Sequence, residues 1–430
     1  MQTSGHSDNR HRNNLHRGDI LSSSARRVRM SPHNQKTKPK KESESLSRYS
    51  WLVVGGIVLF VIGFITIYLG AQGEFVPLQY ARHLGLSTST LVRAQEPLAP
   101  TLDHVAYRSK LYYLAHRTQI TATSTAAGVP QHLDFLEPST VKKISAATST
   151  LATSTRRYLW PVNTPYPNAG ALLPFNRILA YYGNFYSKGM GVLGEYPEAQ
   201  VLQMLASTTA QWHAADPHTP IIPAIDYIAV TAQGSAGADG KYRLEMPDSQ
   251  IDHALAMAAK VNGIVILDVQ VGLSTVAAEL PSLDKYLKMP QVHLALDPEF
   301  AMHGSEAPGT VIGTMDAKDI NYASNYLANL VRTYNLPPKI LIVHRFTEDM
   351  VTHARLITPL PEVQLVMDMD GWGSQAKKIG TYNAVIYLEP VEFTGFKIFY
   401  KNDIKPPSTG LLSPQEVLKL TPSPSFIQYQ

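Results

Sequence analysis

GIVILDVQ at 263–270 and VHLALDPEF at 292–300 are the two stretches whose reading decides the fold. Each is a short apolar run that ends in acidic residues. Successive side chains of a strand point to opposite faces, so positions i and i+2 share a face. In the first run Val265, Leu267 and Val269 form an apolar row suited to covering helices, while Ile264, Ile266, Asp268 and Gln270 form the opposite row. In the second, Val292, Leu294 and Leu296 face outward, and His293, Ala295, Asp297 and Glu299 face inward. Proline cannot donate to a central ladder, so Pro298 marks Asp297-Pro298-Glu299 as the rim of the sheet.

Six more runs of this kind flank these two: RILAYYG (177–183), IIPAIDYIA (221–229), KILIVHRF (339–346), VQLVMDMDG (363–371), YNAVIYLEP (382–390) and FKIFYKND (396–403). Between them the sequence predicts helices over 197–215, 248–261, 274–287, 316–334 and 347–357, with a short one at 374–379. A last helix starts at Ser413-Pro414-Gln415-Glu416, which has the spacing of a capping box with proline in the first turn. Eight alternating strand and helix units in about 250 residues predict an α/β fold closed as a (β/α)8 TIM-like barrel. An open doubly wound sheet is the competing architecture, but no glycine-rich phosphate loop follows the first strand.

Upstream of this domain, at 173–430, the chain changes character three times. Residues 51–70, WLVVGGIVLFVIGFITIYLG, carry no charge, and as a helix they would span about 30 Å, the thickness of a bilayer's hydrocarbon core. Trp51 and Tyr68 stand at its two ends, where aromatic side chains favour the interface. Residues 1–50 hold 11 Lys/Arg and 4 acids, so this tail is predicted to be disordered, to stay in the cytoplasm and to set the orientation of a single-pass membrane protein. Residues 71–172 are dense in Thr, Ser and Ala (SAATSTLATST at 145–155) and read as a flexible stalk, with a helix expected near 103–117. The pI near 8.9 therefore belongs to the tail; the remainder is mildly acidic, which argues against a nucleic-acid partner. There is no cysteine, which removes disulfides, thiol catalysis, thiolate metal sites and a lipidated cysteine.

Strand parity brings the chemistry to one end. VQLVMDMDG turns Leu365, Met367 and Met369 outward and Asp368 and Asp370 inward, and the same reading places Asp226, His344 and Glu389 on the barrel side. All fall at C-terminal strand ends, the face on which barrels of this kind build their sites. Acids crowded on one face raise one another's pKa, which suits a general acid. Tyr181, Tyr182, Phe185 and Tyr186 follow the first strand and Trp372 follows the sixth; aromatic faces of this kind pack against sugar rings. His344 reads as an acid/base, a ligand or a hydrogen-bonded core histidine, whereas His213, His218 and His303 read as surface residues. No H-E-x-x-H, G-x-S-x-G or Walker motif occurs, and no cofactor is implied.

The segments GVLGEYP (191–197), DVQVG (268–272), LALDPEFAM (294–302), GTVIGTMDA (309–317), PPKILIVHRFT (337–347), MDMDGWG (367–373) and FKIFYKND (396–403) carry a resemblance. Over about 173–420 the chain resembles a largely uncharacterised family of secreted or lipid-anchored bacterial proteins. That resemblance implies an extracytoplasmic barrel of glycosidase-like shape, here anchored by the apolar segment in place of a lipidated cysteine. The D-x-E at a strand end is also similar to the acid placement of barrel glycoside hydrolases.

The resulting expectation is a membrane-anchored glycoside hydrolase-like protein whose partners are a cell-wall or extracellular polysaccharide and, through 51–70, the lipid bilayer. Glu299 is the expected general acid, Asp297 tunes it, and Asp268 or Asp368 is the base or nucleophile. Tyr182, Asp226, Gln270, His344, Asp370, Trp372 and Glu389 are the expected substrate contacts. Two rival readings use the same rim: a metal-dependent hydrolase with Asp268, Asp297, Glu299, His344 and Asp370 as ligands, and a catalytically silent barrel that binds glycan or a partner protein.

Overall fold

The computed structural model describes residues 101–127, 160–389 and 391–430, with backbone alone over 117–127. The tail at 1–50 and the apolar segment at 51–70 lie outside the described residues. Among those described, no helix is long and apolar enough to cross a membrane.

Eight parallel strands close into a barrel: β1 Arg177–Gly183, β2 Ile221–Ala232, β3 Ile264–Val269, β4 Val292–Leu296, β5 Lys339–Arg345, β6 Val363–Met369, β7 Phe393–Ile398 and β8 Phe426–Tyr429. Each strand pairs with the next in sequence, and β8 pairs with β1 through Ile178 opposite Phe426 and Tyr181 opposite Tyr429. The (β/α)8 TIM-like barrel expected from the sequence is therefore the observed architecture.

The alternation of side chains holds throughout. Leu179, Tyr181, Ile225, Val265, Leu267, Leu294, Leu341, Leu365, Phe396 and Ile427 belong to the apolar layer beneath the outer helices. Ile178, Ala180, Ala224, Ile266, Ala295, Ile342, Val366 and Phe426 fill the barrel interior. Burial of this kind supplies about 25 cal/mol per Å² of apolar surface removed from water.

The surrounding helices are uneven. Glu198–Ala215, Asp248–Lys260 and Ala317–Tyr334 are full helices, and the last starts at a capping box formed by Asp316 and Asp319. The region at 276–287 is broken into three short turns. The helix expected over 347–357 is instead two 3-10 turns around the two-residue strand Val351–Thr352.

Two strand assignments need correction. YNAVIYLEP, expected as the seventh strand, continues the helix Gln375–Thr381 as a π-helical turn, Tyr382–Ile386. Its buried residues Tyr382, Val385 and Ile386 are spaced i, i+3 and i+4, a helical period rather than an alternating one. The run FKIFYKND is accordingly the seventh strand, and the four-residue FIQY at 426–429 is the eighth.

The stretch read as a stalk is in part structural. A helix, α1, runs over His104–Ala127 and begins where Asp103 Oδ1 accepts from the N–H groups of Val105 and Ala106. Its Tyr107, Leu111 and Ala115 join Trp160 and Leu173 in one cluster with the lower interior of the barrel. The Ser423 N–H donates to the Leu114 carbonyl, Lys110 Nζ to the His218 carbonyl, and Gln364 holds both the N–H and the carbonyl of Leu173. Trp160 packs against Phe393 with ring centroids 6.2 Å apart. These contacts all lie at N-terminal strand ends, so α1 and 160–173 form a floor opposite the mouth.

Candidate active site

Each strand brings a polar side chain to the inner row: Tyr182, Asp226, Asp268, Asp297, His344, Asp368, Lys397 and Gln428, in strand order, with Asp226 at the middle of β2 and the others at or near C-terminal strand ends. All eight are buried. Asp297 sits one position past β4, where its Oδ1 caps the short turn Pro298–Phe300.

The lower tier is centred on His344. Its Nε2 lies 2.9 Å from Asp268 Oδ2 and its Nδ1 lies 3.0 Å from Asp368 Oδ2. With both carboxyls ionised, both ring nitrogens donate and the ring is an imidazolium. Burial opposes that charge, but the two carboxylates more than reverse the effect and hold His344 well above the ordinary imidazole range. Asp226 accepts from Gln428 Nε2 at 2.6 Å, and burial followed by the nearby Asp268 charge raises its carboxyl well above the usual range. Gly395 faces Asp368 across the β6–β7 ladder, and a Cβ there would overlap Asp368 Oδ1.

The upper tier lines a cleft of about 750 Å³ at the mouth. Tyr182, Gln270, Asp297, Glu299, Asp370, Trp372 and Lys397 all border it. Lys397 Nζ lies 3.0 Å from Asp370 Oδ1 and 3.9 Å from the Tyr182 ring centroid. Burial works against its charge, and Asp370, Asp297 and Asp368 outweigh that and raise its pKa. Gln270 Nε2 donates to Tyr182 Oη at 3.2 Å and to Asp297 Oδ2 at 3.3 Å, while its Oε1 accepts from the Ala232 N–H. Burial and then the Asp268 charge raise the Asp297 carboxyl well above normal. Glu299, half-buried, is pushed up to about 7, first by burial and then by the Asp370 charge. The chain crosses the end of β1 at Gly191, φ 133°, where a Cβ would strike the Tyr182 carbonyl.

Not every expected residue reaches this cleft. Asp226, Asp268, Asp368 and His344 lie a layer beneath it, where they shape charge without bordering the space a ligand would occupy. Glu389 is not in the mouth: it follows the π-helical turn, on the barrel flank, and pairs with Arg345 Nη2 at 2.9 Å. Of the aromatics, Tyr182 and Trp372 border the cleft; Tyr181 points outward to Thr208 and Tyr400, Phe185 stacks on Tyr227, and Tyr186 is exposed.

Among the described residues, no group of three or more His, Cys, Asp or Glu is arranged to hold a metal ion. In the ligand set of the metal reading, both His344 nitrogens are engaged by carboxylates. Sequence reading missed Lys397 and Gln428. A lysine between Phe396 and Ile398, on the inner parity of its run, was the available signal for the first. FIQY is too short a run to announce a strand.

No family model and no curated protein matches the chain, and the resemblance to the bacterial family gains no support from them. Among solved structures, a GH18 chitinase from Pseudoalteromonas aurantia is 10% identical, covering 59% of this chain and 93% of that chain with a TM-score of 0.27. A score that low bears on neither the site nor the activity.

Proposed function

We propose that the chain is a membrane-tethered, extracytoplasmic glycoside hydrolase acting on a cell-wall or extracellular polysaccharide. The observation that carries this reading is Glu299: a carboxyl at the rim of an aromatic-bordered cleft, with burial and a neighbouring carboxylate pushing its pKa to about 7. A carboxyl of that kind keeps a substantial protonated fraction at neutral pH and can give its proton to the oxygen of a leaving sugar. Positive charge then develops at the anomeric carbon, and a second carboxylate must face it. Asp370, ion-paired to Lys397 and bordering the cleft, takes that role in place of Asp268 or Asp368. Asp297 fixes the Glu299 backbone, and the layer around His344 holds the floor of the cleft rigid.

The test is hydrolysis of a panel of polysaccharides by the full chain. Loss of turnover in Glu299→Gln and in Asp370→Asn, with melting unchanged, is the expected result. Turnover that survives Glu299→Gln removes the assignment. The tether rests on residues 51–70, and a chain lacking 1–73 is expected to leave the membrane fraction with its activity intact.

A further inference from the structure

We infer that the cleft takes an anionic glycan, whose carboxylate or sulfate is held at the rim by Lys377 and Lys405 beside Trp372. This deepens the glycoside hydrolase reading and rests on it for the identity of the ligand as a glycan. Trp372 is 50% exposed at the cleft edge. Lys377 Nζ lies 5.1 Å from its ring centroid and Lys405 Nζ lies 5.6 Å away, so one aromatic ring system gathers two ammonium groups. Lys377 itself borders the cleft, and Lys405 Nζ donates at 2.7 Å to Asn402, another bordering residue.

Three observations bear on this pair. Lys260, Lys285, Lys288 and Lys401 each sit on a carboxylate, whereas the exposed Lys188, Lys241 and Lys318, like this pair, do not border an acid among the described residues. Among the described residues, neither Lys377 nor Lys405 has an acid within ion-pair distance. Lys377 also lies in the first turn of the helix Gln375–Thr381, where the helix dipole disfavours a cation, so helix stability does not account for it. Finally, the two like charges share one ring, an arrangement that a nearby anion would relieve.

The position of the pair fixes where the anion must be. In the deep part of the cleft Lys397 is already ion-paired to Asp370, so an anionic group on the reacting sugar would find that cation engaged. The rim cations are therefore matched to a charged substituent on a neighbouring sugar unit. Ammonium groups at an exposed rim act mainly through screened attraction, worth a few-fold in affinity each.

The experiment uses calorimetry on the full chain carrying Glu299→Gln, so that ligands bind without being turned over. The ligands are carboxylated and sulfated oligosaccharides, each paired with its neutral counterpart made by carboxyl reduction or desulfation. The expected result is that at least one anionic member binds about tenfold more tightly than its neutral form, with the difference shrinking as salt rises. Changing both lysines, Lys377→Gln with Lys405→Gln, should bring the anionic ligand down to the affinity of the neutral one. Both side chains are exposed, and an unchanged melting temperature confirms the fold. Equal affinity of charged and neutral forms, a preference that persists in the double variant, or no binding by any ligand of the panel would overturn the inference. Turnover surviving Glu299→Gln would instead strike the catalytic reading and leave the charge preference standing.

Discussion

Asp297 Oδ1 accepts a hydrogen bond from the backbone N–H of Glu299 at 3.1 Å, so the two rim acids after β4 are locked to each other through the main chain. Gln270 holds the other oxygen of Asp297. The direction in which Glu299 enters the cleft is therefore set by buried groups rather than by the exposed rim around it.

Glu299 supplies the first prediction. With a carboxyl near 7, the protonated acid is present at neutral pH and is lost above it. The alkaline limb of the pH–rate profile should fall near pH 7, and Glu299→Gln should lower kcat by about 10²–10⁴-fold. A limb far from 7 would take Glu299 out of the role.

His344→Gln tests the lower tier. The substitution leaves Asp268 and Asp368 facing a dry centre without their cation. Breaking a buried pair in this way costs about 3–5 kcal/mol, which urea unfolding would register. A variant as stable as the parent would mean that His344 is not the imidazolium that both carboxylates require.

Gly395→Ala is expected to be damaging although it adds only a methyl group. That methyl would run into Asp368 Oδ1 inside a closed ring, where overpacking costs about 1–3 kcal/mol. Thermal unfolding should show the loss, and activity should fall with it as Asp368 is driven off His344.

Glu392 gives a stability prediction with a definite sign. It is buried just before β7, accepts from the Leu365 N–H at 2.9 Å, and burial raises its carboxyl to about 8 against an ordinary 4.5. The folded chain therefore holds this proton more tightly than the unfolded chain does. The contribution to stability is fully present below about 4.5 and is lost as pH rises to about 8. Glu392→Gln should raise the melting temperature at pH 8, by a free energy on the order of a few kcal/mol, and change little at about pH 4.

The floor supplies the fifth. Trp160→Ala removes a buried ring from beneath Phe393 and should cost about 3–5 kcal/mol. A chain starting at residue 174 loses the whole floor and should not unfold cooperatively, whereas one starting at 95 should.

Much of this is legible in the sequence because strand parity is a strict rule. Asp268, Asp297 and Asp368 fall on the inner face where alternation places them, and the closed barrel follows from the repeated units. Alternation says which face a side chain occupies but not how deep it lies along the strand. Asp268 and Asp368 are on the correct face yet a tier too low to meet a ligand, because Gln270 and Asp370, two residues further on, overlie them. Glu389 is misplaced for a different reason: YNAVIYLEP is apolar enough for either element, and its helical spacing is outweighed by the expected count of strands. The floor is hidden because Tyr107, Leu111 and Trp160 are separated by a Ser/Thr-rich stretch, and their shared environment exists only in three dimensions.

The seam between β1 and β8 joins Ile178 to Phe426, partners about 250 positions apart in the chain, and contacts of such long range slow folding. No partial length can satisfy both edges of the sheet, so the ring behaves as a clasp that is either shut or open. Cleavage within the exposed loop around Gly234 and Gly240 should for the same reason leave two pieces that stay buckled together, each supplying the edge that the other lacks.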